Sequence, residues 1–148
     1  MIPYGLHYID KSDIKNVLKA LKSDFITQGP LVEKFEKKIC KIVKVKYAVA
    51  VSSCTAGLHI ALMSIINKNK DKDKVLTSPI SFASTANVVK LNNLKLDFID
   101  INKNSLNIST RELEKKIKKN KNILSVIPVH LSGYAAHSEE IYKVCKKN

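Results

Sequence analysis

The sequence predicts an α/β fold, a mainly parallel sheet with helices on both faces. Its apolar periodicity switches repeatedly between helical and strand spacing. The stretches that read as strands are near-continuously apolar rather than alternating, the pattern of strands buried on both sides. At 148 residues and 45% hydrophobic content, the chain is sized for one domain with a core.

The elements follow in order. Ile14, Val17, Leu18 and Leu21 fall at i, i+3, i+4 and i+7, and Val32, Phe35, Ile39 and Ile42 repeat the helical stripe. Two amphipathic helices are therefore expected on either side of "SDFITQGP". Short apolar runs bounded by polar breaks then read as strands: "YAVAVS" (47–52), "KVLTSPI" (74–80), "KLDFIDI" (95–101) and "NILSVIPVHL" (122–131). Helices are expected over 55–66, 82–91, 110–119 and 138–147. Ser109 with Glu112 has the spacing of a capping box, and Ser138 followed by Glu139 and Glu140 is a good helix start. No linker, repeat or low-complexity tract divides the chain, so residues 1–45 are read as an N-terminal helical segment leading into an αβ portion over 46–148.

Charge and cysteine usage narrow the function classes. The formal net charge is +13, from 26 basic and 13 acidic residues, which raises the question of a polyanion partner. Every basic residue except Arg111 is lysine, whereas base-edge readout favours the planar guanidinium. The lysines sit in stretches such as "NKNKDKDK" and "KKIKKNKN", as solvated faces and loops do, and nucleic acid is disfavoured. Cys40, Cys54 and Cys145 are odd in number, far apart and without C-x-x-C spacing, against both a disulfide framework and a zinc site. With no apolar run of membrane-spanning length and no signal-peptide pattern at the start, a cytoplasmic protein without membrane association is expected.

The candidate site begins in "AVAVSSCTAGLHIAL" (48–62), where a strand-like run gives way to a helix at Ser52, Ser53, Cys54 and Thr55. In parallel sheets ligands sit beyond the carboxyl ends of the strands, where a helix N-terminus offers free N–H groups and partial positive charge. Thr55 and Ala56 stand where the backbone can meet a phosphate; simple capping by Ser or Thr accounts for the same residues. Neither G-x-x-x-x-G-K-[ST] nor G-x-G-x-x-G occurs, so no nucleotide-triphosphate loop or dinucleotide fingerprint is present. "TSPISFASTANVV" (77–89) repeats the strand-to-helix transition with Phe82 at the changeover. As a flat aromatic beside a phosphate cradle, Phe82 suits a flat phosphorylated ligand; taken singly it reads as a core residue.

Four stretches, "SDFITQGPLVEKFE", "KYAVAVSSCTAGLHIAL", "SPISFASTANVV" and "VIPVHLSGYAAHSEEIYKVCKK", in this order and spacing, resemble the N-terminal part of the DegT/DnrJ family of pyridoxal-phosphate sugar aminotransferases. The likeness is strongest to the branch that aminates a UDP-linked 4-keto-6-deoxy N-acetylhexosamine in pseudaminic acid synthesis. It implies part of the large domain of a fold-type I aminotransferase, with UDP-sugar and an amino donor such as glutamate as substrates.

Carried over by motif, the resemblance assigns the cofactor phosphate to Thr55 and Ala56 and ring stacking to Phe82. It puts Thr27 of "TQGP" and Tyr4 of "IPYG" in the nucleotide-sugar pocket. It sets "PVHLSG" (128–133) near the cofactor, with His130 expected to pack or hydrogen-bond rather than exchange protons, and Cys54 as a small filler. The carboxylate for the pyridine nitrogen and the Schiff-base lysine have no counterpart here, so no catalytic residue is assigned and the chain is expected to be inactive alone. A second chain supplying the C-terminal part is one expected partner. The alternative is a non-enzymatic basic α/β module binding RNA or another polyanion.

Overall fold

The computed structural model describes residues 5–147, and the chain divides into two compact units, Met1–Ala50 and Val51–Asn148. Tyr4 lies outside the described residues.

The first unit is helical. Helix α1 (Lys11–Leu21) opens on a capping box: the Asp10 carboxylate accepts from the Ser12 and Asp13 N–H groups at 2.7 and 3.0 Å, and the Asp13 carboxylate accepts from the Asp10 N–H at 3.0 Å. Helix α2 (Pro30–Val43) starts with proline, where the missing N–H has no helical partner to lose. Gly29 before it has φ +92°, and a Cβ there would come within 2.9 Å of the Phe25 Cβ, so this turn requires glycine. The helical stripes are where the spacing predicts them, yet no residue of α1 or α2 is buried; Leu18 is 51% and Phe35 56% exposed.

"YAVAVS" is not a strand. Residues 47–52 carry no ladder among the described residues, Tyr47 and Val49 are exposed, and the Ala50 N–H donates to the Glu36 carboxylate at 2.8 Å. Apolar composition favours an extended backbone, but a strand exists only against a neighbour.

The second unit holds the sheet. Strands β1 (Lys74–Thr77), β2 (Lys95–Phe98) and β3 (Ile123–Ile127) run parallel in the order β2-β1-β3, with Val75 level with Leu96 and Ser125. Helices α3 (Cys54–Ile66), α4 (Ala83–Leu91), α5 (Thr110–Lys119) and α6 (Ser138–Lys147) cover it. Val75 and Leu76, adjacent on β1 and both fully buried, point into different cores. Val75 joins Leu62, Val88, Val89 and Leu94 under α3 and α4; Leu76 joins Ile99, Ile108, Leu113, Ile117 and Ile141 under α5 and α6. Both faces are thus covered, as expected.

The strands are shorter than the apolar runs. Each run continues past its ladder into the loop at the carboxyl end of the sheet. After β2, Ile99 is buried and Ile101 forms only an isolated antiparallel bridge with Ile108. The capping box at α5 is half formed. Ser109 Oγ accepts the Glu112 N–H at 3.3 Å, but the Ser109 N–H already donates to the Asp100 carbonyl, and the Glu112 carboxylate pairs with Lys115.

An ionic cluster ties α5 to the sheet. Asp97 Oδ1 is 2.6 Å from Lys116 Nζ, and Lys74 Nζ is 3.9 Å from Oδ2. Burial works against ionisation of Asp97, but Lys116, the Phe98 N–H and Lys74 outweigh it and hold the carboxyl below the usual carboxylate range. The cysteines are all free.

Two outcomes follow from this packing. Leu113→Ala, at a fully buried position, should lower unfolding stability by about 2–5 kcal/mol in denaturant titration, whereas Val17→Ala on the exposed face of α1 should cost far less. Asp97 ionises more readily folded than unfolded, so its contribution is complete above the ordinary carboxylate range and is lost as pH falls through its folded-state value. Asp97→Asn should therefore cost about 1 kcal/mol or less at neutral pH and reduce the stability lost on acidification, read by unfolding curves across pH.

Candidate functional site at the carboxyl rim of the sheet

Helix α4 follows the carboxyl end of β1 after five residues (78–82), so its N-terminus lies at that rim. Helix α3 runs back through residues 67–73 to the start of β1, which puts its own first turn at the opposite, carboxyl end of the sheet. The two helices pack together on one face through Leu58, Leu62, Val88 and Val89. Their first turns form one side of the rim, and the loop after β3 continues it.

At α3 the N-cap is Ser53, extended at φ −161°, whose hydroxyl accepts the Ala56 N–H at 3.1 Å. That is ordinary capping, and it answers one of the open donors of the first turn. The N–H groups of Cys54 and Thr55 precede any intrahelical acceptor, and Thr55 and Ala56 are half-buried beneath them. Cys54 is exposed.

At α4 the N-cap position is Phe82, with extended backbone and no side-chain cap. Its ring is 78% exposed, so Phe82 is not a core residue. Two neighbours in the same stretch stabilise the rim from below. Thr77 is fully buried and its hydroxyl donates to the Ile127 carbonyl at 2.8 Å, tying the ends of β1 and β3; buried Ser78 accepts the Ile80 N–H at 3.3 Å.

Electrostatics distinguish these two helices from the rest. Helices α1, α2, α5 and α6 each carry an acidic residue in the first turn, namely Asp13, Glu33, Glu112, and Glu139 with Glu140. Helices α3 and α4 carry none. Carboxylates offset the partial positive charge of a helix N-terminus. At α3, beside small side chains, and at α4, beside the exposed Phe82 ring, that charge is left uncompensated by any first-turn carboxylate.

The remaining positions fall as follows. Thr27 is exposed in the turn between α1 and α2, within the first unit. His130 accepts the Ala136 N–H on Nδ1 at 2.9 Å, a hydrogen-bonding role. A cavity of about 460 Å³ lies elsewhere, along the outer flank of β3 against α6, and takes in none of the residues assigned to a site. Among the described residues no cluster of His, Cys, Asp or Glu could hold a metal ion, and no helix is long and apolar enough to cross a membrane.

Comparison with known proteins decides the family. Residues 7–148 match the model of the DegT/DnrJ/EryC1/StrS aminotransferase family. The chain belongs to that family. Over 148 residues it is 38% identical to the UDP-4-amino-4,6-dideoxy-N-acetyl-beta-L-altrosamine transaminase of Campylobacter jejuni, an alignment covering 99% of this chain and 38% of the relative. The solved structure of Helicobacter pylori PseC, an aminotransferase of pseudaminic acid biosynthesis, superposes with a TM-score of 0.84 at 32% identity, over 98% of this chain and 38% of that one. A GDP-4-keto-6-deoxymannose-3-dehydratase solved with a trapped PLP–glutamate geminal diamine shares the fold, with a TM-score of 0.88 at 24% identity over 99% of this chain and 38% of its own. The chain thus spans about two fifths of the length of the relatives it matches.

Ser53→Ala removes the α3 cap without touching either core. It should cost about 1 kcal/mol of stability and speed amide exchange in the first turn of α3, with exchange at Leu113 unaffected beyond that global loss, as hydrogen-exchange NMR would read.

Proposed function

We propose that these residues form the phosphate-binding and ring-stacking part of a nucleotide-sugar aminotransferase site. The amino acceptor would be a UDP-linked 4-keto-6-deoxy N-acetylhexosamine and the donor glutamate. The observation that carries the reading is the pair of carboxylate-free helix N-termini at one rim, with the exposed Phe82 ring at the start of α4. Family membership supports aminotransferase chemistry, and the name of the Campylobacter jejuni relative, a UDP-4-amino-4,6-dideoxy-N-acetyl-beta-L-altrosamine transaminase, supports a UDP-linked sugar as the substrate class.

The residues divide the work. Thr55 and Ala56 at the start of α3, with the Thr55 hydroxyl, would hold the phosphate of pyridoxal phosphate; Ser53, whose hydroxyl accepts the Ala56 N–H, would keep the helix start in shape. Phe82 would lie against one face of the pyridine ring and keep water from it. By family resemblance, Thr27 and Tyr4 are assigned to binding the nucleotide sugar. Bound to Thr55, Ala56 and Phe82, the cofactor would supply an electron sink for amino transfer.

Transfer also needs a lysine to carry the cofactor and move the proton, and a carboxylate for the pyridine nitrogen. None of the 148 residues is assigned to either role, and both are proposed to come from polypeptide outside them, such as a second chain.

The test mixes the purified chain with pyridoxal phosphate, glutamate and the UDP-linked keto sugar. It is then repeated with the unmatched remainder of the Campylobacter jejuni relative co-expressed as a second chain. Amino transfer is expected only in the two-chain mixture. Thr55→Tyr should weaken cofactor binding by about tenfold or more by crowding the cradle, and Lys118→Ala should leave it unchanged. Turnover by the chain alone, with one lysine stoichiometrically modified, would overturn the division of labour. Tight RNA binding that falls steeply with salt, without discrimination among phosphorylated ligands, would favour the polyanion module instead.

A further inference from the structure

The loop that follows β3 is fastened by a residue with no place in the proposed site. Asn107 is 2% exposed, on the short hairpin closed by the Ile101–Ile108 bridge. Its side-chain amide reaches across 24 and 27 residues of sequence. Oδ1 accepts the Leu131 N–H at 3.1 Å, and Nδ2 donates to the Tyr134 carbonyl at 3.0 Å. Between these anchors the backbone turns left-handed twice, at Ser132 (φ 51°) and Gly133 (φ 79°), and the Tyr134 N–H closes the turn on the Leu131 carbonyl at 2.9 Å. A left-handed serine is disfavoured by about 1 kcal/mol, so this turn needs support from outside itself.

The next contact converts that support into chemistry. Ala136, 4% exposed, donates its N–H to His130 Nδ1 at 2.9 Å. An acceptor Nδ1 carries no hydrogen, which leaves the neutral ring with its hydrogen on Nε2. His130 is exposed, three residues past the carboxyl end of β3.

We propose that Asn107 is a positioning residue. By fastening Leu131 and Tyr134 it holds the Ala136 N–H on His130 Nδ1, and so presents His130 at the ligand rim as a hydrogen-bond donor of one fixed tautomer, matched to an oxygen of the bound cofactor or substrate. Asparagine suits the task because one buried amide supplies both a donor and an acceptor. Aspartate would set a carboxylate oxygen against the Tyr134 carbonyl, and alanine would leave both backbone groups unpaired. The assignment of the rim to a ligand rests on the function proposed above; the clamp does not.

The test is NMR on the full chain at a pH where the imidazole is neutral. In the wild type, the His130 nitrogen shifts should report a single Nε2–H tautomer. In Asn107→Ala and Asn107→Asp the tautomers should mix, and exchange of the Leu131 and Ala136 amides should accelerate by about tenfold, while the Val75 and Leu113 amides keep their protection. A mixed or Nδ1–H tautomer in the wild type overturns the clamp even if neither variant folds, and so does an unchanged tautomer in two folded variants. Pyridoxal phosphate is then added. Perturbation of His130 Nε2 together with the Thr55 and Ala56 amides supports the donor role. Perturbation of Thr55 and Ala56 without His130 overturns that role and leaves the cofactor reading intact. No perturbation of any of the three, with the clamp confirmed, overturns the ligand rim itself.

Discussion

Strand β1 is enclosed on every side, and the rest of the second unit is arranged around that fact. Its edges are paired to β2 and β3, Val75 fills the core under α3 and α4, and Leu76 fills the core under α5 and α6. A strand so enclosed has no polar face, and its neighbours run parallel, so each connection must cross over the sheet and return to the same end. The β1-to-β2 crossover brings the start of α4 to the carboxyl rim, and α3, which runs back to the start of β1, brings its own start to the same end. The two helices whose N-termini lack acidic residues meet that rim as a result of topology, and so does the start of the loop after β3, which Asn107 then fastens.

Local chemistry was legible in the sequence because it is local. Helix boundaries agree with expectation to within a residue or two: Pro30, Ser53 and Ser109 announce their helices through proline geometry and hydroxyl caps. Pairing was less legible. "YAVAVS" has the composition of a strand and "KLDFIDI" that of a longer one, but a ladder depends on a neighbour's backbone, which composition does not describe. The expected capping box at Ser109 fails for a similar reason. The Asp100 carbonyl, nine residues upstream, is folded back onto the N–H that Glu112 would have taken.

The proposed site shows the same division. Thr55, Ala56 and Phe82 are proposed from helix starts, which are visible in one dimension. That α3 and α4 alone lack first-turn carboxylates could also have been read from the sequence, once the helix starts were assigned. Asn107 could not have been. In "SLNIST" it is one asparagine among many in a turn-like stretch, and its function lies with partners 24 and 27 positions away. Its signal exists only in three dimensions, as a buried amide with both ends satisfied.

The two margins of the sheet differ in kind. On β2 the outer strand carries Lys95 and Asp97, with Lys95 drawn to Asp73 and Asp97 to Lys116. On β3 the outer strand reads Ile-Leu-Ser-Val-Ile, half-buried and without a charge, beside the cavity against α6. Charged residues discourage an approaching backbone, and their absence invites one. The sheet is therefore vectorial: a further strand is admitted beside β3 and deterred beside β2, so the order of any larger assembly is written in the difference between its two borders.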